Sequence, residues 1–360
     1  MKFKNSLKLT ALFTTLALAG CSGNINKLDE SAKYTKARTI NNFNDYVQFL
    51  KQKAAEQGVS VSTLNAQNNI RYISKAVDLD HKQAAKRRDP NLPPVVNPNG
   101  TTNYLNRVLT RAKVNKAETE YWNVLPQLTK ASQKYGVQKE YLLALWGMES
   151  SFGYYQGNYD VLSVLATLAF DGRRESLFGK EFVNAMKMLD RNYIQRGKML
   201  GSWAGAMGQT QFMPTSYLSY AADGDGDGEK DIWTNHYDVF ASIATYLSTV
   251  GWDDELPWGV EVTLSQPMVL SLSGVEKGKQ KSLKQWQAMG VNLKNSMAQE
   301  LQKLTALSSA DLWLVRPDKE AGRAFLVSNN FRTLLDWNRS NYFAVSIGIF
   351  ADRIQQRIGL

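Results

Sequence analysis

Apolar positions along the chain keep different periods in different stretches. In residues 44–57 (NDYVQFLKQKAAEQ) a helical repeat puts Tyr46, Phe49 and Leu50 on one face, and Gly58 follows. This spacing predicts a helix ended by that glycine. Residues 86–100 (KRRDPNLPPVVNPNG) hold four prolines and keep no period, which predicts a loop or linker over the surface. Helical spacing resumes near Tyr104 and runs to about Leu200. From Pro257 the texture changes: VEVTLS, LWLVRP and RAFLVS cluster or alternate β-formers between KGKQK and other basic turns, predicting a small β-containing unit over residues 257–330. Residues 342–358 return to a helical period. The pattern predicts a mainly α (α+β) protein, with neither internal repeats nor low-complexity tracts.

One helical stretch is unusual. From residue 139 to 148 it is apolar nearly all round, YLLALWGM, and then meets Glu149. Such a helix is buried. Leu145 and Trp146 lie four and three residues before Glu149 and share its face, and Gly153 is the expected terminator. Burial and the negative end of the helix dipole both favour the neutral carboxyl. An acid still protonated near neutral pH suits the protonation of a glycosidic oxygen. A buried Glu held by an Arg or by backbone donors reads equally well from this segment alone.

A second stretch, residues 201–214 (GSWAGAMGQTQFMP), has glycines for tight turns. Its Ser202, Gln209 and Gln211 offer neutral donors and acceptors suited to sugar hydroxyl and acetamido groups. It holds no Lys, so it is not a phosphate-binding loop of the usual kind. Met207, Phe212 and Met213 read as packing. A third stretch, residues 223–234 (DGDGDGEKDIWT), has the spacing of a calcium loop: Asp223, Asp225 and Asp227 at positions one, three and five, Gly228 at six, Glu229 at seven and Asp231 at nine. Pro214 is expected to start the helix before it, Asp238 to cap the one after and Gly251 to end that one. Lys230 at position eight and Thr234 at twelve depart from the pattern and predict weak affinity. A structural Ca2+ or Na+, an ion-free acidic turn and a calcium sensor over residues 214–250 are the three readings.

The first residues belong to no core. Lys2, Lys4 and Lys8 precede a short apolar run from Leu9 to Ala19, and Leu18-Ala19-Gly20 leads into Cys21, the single cysteine. These features describe a secretory signal and exclude an intramolecular disulfide. The Cys after small residues resembles the lipobox of bacterial lipoproteins, unless it is incidental to the signal. That resemblance implies cleavage before Cys21, acylation (palmitate included), anchoring in a membrane and, with Ser22 next, sorting to the outer membrane of a Gram-negative bacterium, facing the periplasm. The net charge is +10. Removing residues 1–20, with three lysines and no acid, leaves +7. Such a surface suits an acidic wall polymer or lipid surface. An exported chain without a basic-aromatic recognition motif is not a nucleic-acid binder.

The sequence ESSFG at residues 149–153, followed some fifty residues later by GAMGQTQFMP, resembles the core motifs of lytic murein transglycosylases of the membrane-bound B type. DVLSVLATLAFDGRR, FASIATYLSTVGW, PWGVEV and NNFRTLLDWNRSNYFAVSIG extend the resemblance over roughly residues 40–358. It implies a lysozyme-like helical catalytic core with added helical and β parts. The expected divisions are a signal at 1–20, a lipidated tether at 21–40, an N-terminal helical region at 41–130 and the core with its EF-hand-like loop at 131–256. The β unit at 257–330 and a C-terminal segment completing the core at 331–360 follow.

The implied reaction cleaves the β-1,4 bond between N-acetylmuramic acid and N-acetylglucosamine in peptidoglycan and leaves 1,6-anhydro ends. Glu149 is the implied lone acid and then base, with Ser202, Gln211, Tyr246, Asn338 and Tyr342 as substrate-positioning groups and no cofactor in the chemistry. Each of these five also reads as a cap, a loop hydrogen-bonder or helix packing. Arg173 and Arg174 suit either wall carboxylates or a surface ion pair, and His81 and His236 show no ligand spacing. A muramidase hydrolysing the same bond and a non-catalytic wall-binding lipoprotein remain the alternatives.

Overall fold

The computed structural model describes residues 40–85, 97–294, 303 and 305–359. The expected signal, Cys21 and most of the Pro-rich linker lie outside the described residues.

Three helices open the fold: α1 (Phe43–Glu56), α2 (Val61–Ala66) and α3 (Ser74–Ala85). The Asn42 side chain caps α1 by accepting the Asn44 and Asp45 N–H groups, and Tyr46, Val47, Leu50 and Ala54 form its buried stripe. This helical triplet does not pack on the helices that follow it in sequence. It joins α8 (Val161–Asp171), α9 (Glu175–Asp190) and α10 (Pro214–Tyr220) in one hydrophobic core. Helices α4 (Gly100–Val108), α5 (Arg111–Asn123), α6 (Leu125–Tyr135) and α7 (Lys139–Ser150) belong to another core. They share it with α11 (His236–Thr249) and two late helices, α13 (Asn329–Trp337) and α14 (Asn341–Ile358). The expected N-terminal region of residues 41–130 therefore divides between two cores. Its two halves carry separate apolar stripes, and a stripe read along the sequence does not say which neighbour covers it.

Arg173 and Arg174 fasten the first core. Both donate to the carboxylate of Asp80, which is buried on α3. Burial alone would raise that carboxyl, but hydrogen bonds and charge from the two guanidiniums outweigh it and hold Asp80 below the usual carboxylate range. Of the two readings for these arginines, the ion pair is the one formed.

The β unit is a four-stranded antiparallel sheet in the order β2 (Val291–Leu293), β1 (Gly259–Leu264), β4 (Ala324–Val327), β3 (Trp313–Val315). Val260 pairs with Leu326, and Leu314 pairs with Leu326 from the other side. Side chains alternate between its faces. Trp313, Val315, Phe325 and Val327 enter the main helical core. Leu314, Ala324 and Leu326 face a third, smaller core with Trp286 of α12 (Leu283–Ala288). Two buried faces explain why these strands read as continuous apolar runs rather than alternating ones.

Two glycines let the central helices close up. On α14, a Cβ at Gly348 would lie 2.1 Å from Cδ2 of Trp258. On α7, one at Gly147 would lie 2.7 Å from the Phe152 ring. No helix among the described residues is long and apolar enough to cross a membrane.

Candidate active site

Helix α7 is buried along almost its whole length, from Tyr141 to Gly147, and it carries Glu149 in its last turn. It stops earlier than Gly153. Ser151 is the left-handed cap (φ 53°), and Phe152 (φ 62°) and Gly153 (φ 79°) continue in the same region. Positive φ is costly for an aromatic residue. Here the Phe152 ring is buried against Trp146, with centroids 5.4 Å apart, and that burial offsets the strain. Gly153 serves a different need, since a Cβ there would meet Oε1 of Gln209 at 2.5 Å. Ser150 closes the turn by donating to the Trp146 carbonyl (3.2 Å) and accepting the Gly153 N–H (3.0 Å). It is buried and so spent on structure.

The Gly-rich loop packs over this turn. Met207 and Phe212 exchange backbone hydrogen bonds around a tight reversal in which Gly208 and Gln211 take positive φ. Gln209 is buried, and both ends of its amide are used within the protein: Oε1 accepts the Trp146 indole N–H (2.6 Å) and Nε2 donates to the Trp233 carbonyl (2.8 Å). It locks loop to helix, a structural role beside the expected substrate contact. Ser202 accepts the Ala204 and Ala206 N–H groups, as a turn cap does. Gln211 donates Nε2 to the Gln156 and Gly208 carbonyls.

Glu149 keeps partial contact with solvent, and its Oε1 accepts the indole N–H of Trp337 at 2.7 Å. Burial raises its pKa from 4.5 to about 7, against the lowering effect of that hydrogen bond. Burial and the indole are the two causes; no neighbouring carboxylate adds to the shift. Trp337 ends α13 and belongs to an aromatic wall. Tyr246 stands 4.8 Å from it and Phe212 5.4 Å, ring to ring, and Tyr220 lies 4.5 Å from Tyr246. Burial pushes the Tyr246 phenol up to about 12, so it stays a neutral donor. On another side, Tyr104 feels the Glu149 charge and lies 5.6 Å from the ring of Tyr342. Tyr342 donates to Asp318 (2.6 Å), the residue that also accepts the Thr101 N–H of α4. Asn338, exposed, caps the end of α13 directly after Trp337.

Sequence reasoning missed Trp337 and Tyr104. A Trp at the end of an amphipathic helix reads as packing. The usable signal was its N–H, which needs an acceptor when half-buried.

The acidic loop is built as expected at its start. Asp223, Asp225 and Asp227 bring carboxylate oxygens within 4.8 Å of one another. Asp223 also accepts the Gly226 and Gly228 N–H groups. Such clustered oxygen donors fit a hard cation. Glu229 and Asp231 do not join them; Asp231 turns away to cap the Trp233 and Thr234 N–H groups. The cap of α11 is Asn235 rather than Asp238. Asp238 is buried one turn in and bridges the loop by accepting the Gly224 and Asp231 N–H groups, each at 2.7 Å. Burial first, and then the Asp225 and Asp227 charges, raise its pKa to about 6 despite those bonds.

Comparisons with known proteins agree with this architecture. The chain is similar to SltB3 from Pseudomonas aeruginosa, solved in complex with NAG-NAM-pentapeptide: 34% identity, 88% of this chain and 80% of that one covered, TM-score 0.76. It is 35% identical over 162 residues to membrane-bound lytic murein transglycosylase B of Escherichia coli K12, a match that spans 44% of each chain. The Escherichia coli lytic transglycosylase Slt35, solved in complex with calcium, shares the fold at 23% identity, with 88% of this chain and 94% of that one covered and a TM-score of 0.69. The transglycosylase SLT domain family matches residues 42–352, and the chain belongs to that family.

Proposed function

We propose that this protein is a lytic transglycosylase that cleaves the β-1,4 bond between N-acetylmuramic acid and N-acetylglucosamine in peptidoglycan, with Glu149 as its single acid and base. The observation that carries the reading is one carboxyl at the end of a buried helix, facing an aromatic wall and accepting a single indole N–H, that of Trp337 at 2.7 Å. Protonated Glu149 donates its proton to the glycosidic oxygen as the bond breaks. The carboxylate left behind keeps the Trp337 N–H. It then removes the proton of the muramic acid C6 hydroxyl, whose oxygen attacks C1 and closes a 1,6-anhydro ring. The proton returns to Glu149 and no water is consumed. A pair of carboxylates, which hydrolytic glycosidases use, is unnecessary because the nucleophile is held in the substrate itself. Tyr246, Tyr342, Asn338 and Gln211 are proposed to position the sugar, with Ser202 shaping the Gly-rich loop. Mass spectrometry of digested sacculi tests the reading. It requires 1,6-anhydromuramic ends, and reducing muramic ends would make the protein a hydrolase.

Trp337→Phe removes a donor that stabilises the carboxylate, so the Glu149 pKa moves further up. The alkaline limb of the pH–rate profile then shifts to higher pH, and kcat falls about tenfold, the effect of one lost hydrogen bond to a charged group. An unshifted limb would separate Glu149 from that limb.

Asp223, Asp225 and Asp227 are proposed to hold a structural Ca2+ or Na+ that braces the loop between α10 and α11 and takes no part in bond cleavage. Chelating calcium should lower the melting midpoint by a few degrees, by mass action on the folded state; an unchanged midpoint rejects calcium. An outer-membrane lipid anchor at Cys21 is proposed from the sequence. Palmitate labelling should disappear in Cys21→Ser, and retained label would reject it.

A further inference from the structure

Away from Glu149 the surface holds a cleft with a cavity volume of ≈ 980 Å³. Three loops wall it: residues 154–158 after α7, residues 192–200 after α9, and residues 228–234 at the far end of the acidic loop. They are fastened to one another. Gln156 Nε2 donates to the Trp233 carbonyl (3.1 Å), and the Trp233 indole to the Leu200 carbonyl (3.0 Å). Tyr217 Oη donates to the Lys230 carbonyl (2.9 Å). Gly157, at φ 86°, brings the first loop so close to the second that a Cβ would lie 2.1 Å from the Gly201 carbonyl oxygen. The cleft is therefore formed before any ligand arrives, as small-molecule sites usually are.

Its lining has a definite chemistry. Tyr154, Tyr155 and Tyr193 are 74%, 68% and 41% exposed, three of the eight exposed large hydrophobic side chains among the described residues, and all on one cleft. Their rings offer flat apolar faces with hydroxyl edges. Beside them the side-chain amides of Asn158 and Gln195 make no hydrogen bond within the described residues, and Lys198 adds a cation. Aromatic faces take the C–H faces of a pyranose ring, free amides match hydroxyl and acetamido groups, and the ammonium matches a pendant carboxylate. The reaction at Glu149 uses none of these groups. The first wall leaves from the same turn that ends the helix of Glu149.

We propose that this cleft is a second saccharide site, which grips a stretch of N-acetylated β-1,4-linked glycan away from the bond being cut. It rests on the glycan-cleaving reading above and adds to it a holding function. The test uses the full chain carrying Glu149→Gln and a peptide-free β-1,4-linked N-acetylglucosamine oligomer, with affinity measured by calorimetry. Tyr193→Ala should weaken binding about tenfold, the scale of one well-placed aromatic contact, whereas Tyr193→Phe, which keeps the ring, should bind as the parent does. Tyr155→Ala, whose ring meets only Tyr154 among the rings, should also weaken binding and guards against misfolding of the first variant. Unchanged affinity in both alanine variants overturns the proposal. So does an effect seen only with peptide-bearing muropeptides, which would make the cleft a peptide site. Retained cleavage by Glu149→Gln would instead remove the catalytic reading and leave the binding result standing.

Discussion

Glu149→Gln is expected to lower peptidoglycan cleavage by about a thousandfold or more, within the usual range for a general acid and at its upper end because in the proposed mechanism the same group serves twice. The amide can accept the Trp337 N–H through its oxygen, so the wall around it is kept and the loss is chemical. The variant should also be more stable than the parent at alkaline pH. The Glu149 pKa is raised from 4.5 to about 7 in the folded protein. The folded state thus holds the proton more tightly than the unfolded state. The resulting stabilisation is full below about 4.5 and is lost as pH rises through about 7. Over that window the shift corresponds to on the order of 3 kcal/mol. The neutral Gln escapes this loss, so its advantage appears above pH 7 and vanishes below pH 4.5. Measuring thermal midpoints of both proteins at pH 4 and pH 8 checks this. Equal differences at the two values would mean that Glu149 is not held neutral by its surroundings.

Gly348→Ala is expected to cost about 3 kcal/mol of stability, the upper part of the range for overpacking a core. The added methyl would lie 2.1 Å from Cδ2 and 2.4 Å from Cε2 of Trp258. Those are ring atoms, which cannot turn aside as the end of a flexible side chain can. The indole is also pinned. Its N–H donates to Asp352 at 3.0 Å, and the Trp258 backbone N–H donates to the Tyr141 hydroxyl at 3.0 Å. Moving it would disturb α7 and the start of β1 together. Thermal denaturation should show a midpoint lower by several degrees. A midpoint within a degree of the parent would mean that α14 can shift sideways at no cost.

Much of this arrangement was legible in the sequence, and particular residues show why. YLLALWGM read as a buried helix because apolar residues occupy every side of it, and no other element tolerates that so well. LWLVRP and RAFLV read as strands by composition, but only the structure shows that two separate cores bury their two faces. The acid was visible because charge in such a segment is conspicuous. Its partner was hidden, because Trp337 lies 188 residues away and nothing local in DWNRS says that the indole points at a carboxylate. Gln209 shows the opposite case: an amide in a Gly-rich loop resembles a ligand group, and only three-dimensional packing reveals Trp146 and Trp233 at its two ends. The turn after Glu149 was placed two residues late because glycine is the expected left-handed residue. Here a buried Phe152 offsets the strain of taking that conformation before it.

The long span between Glu149 and Trp337 sets an order in time. A chain made from its amino end carries its acid for 188 residues before the indole that tunes it exists. The helix that shelters Glu149 is covered by α14, which comes later still. The surroundings of Glu149 are therefore complete only once α13 and α14 have docked against α7.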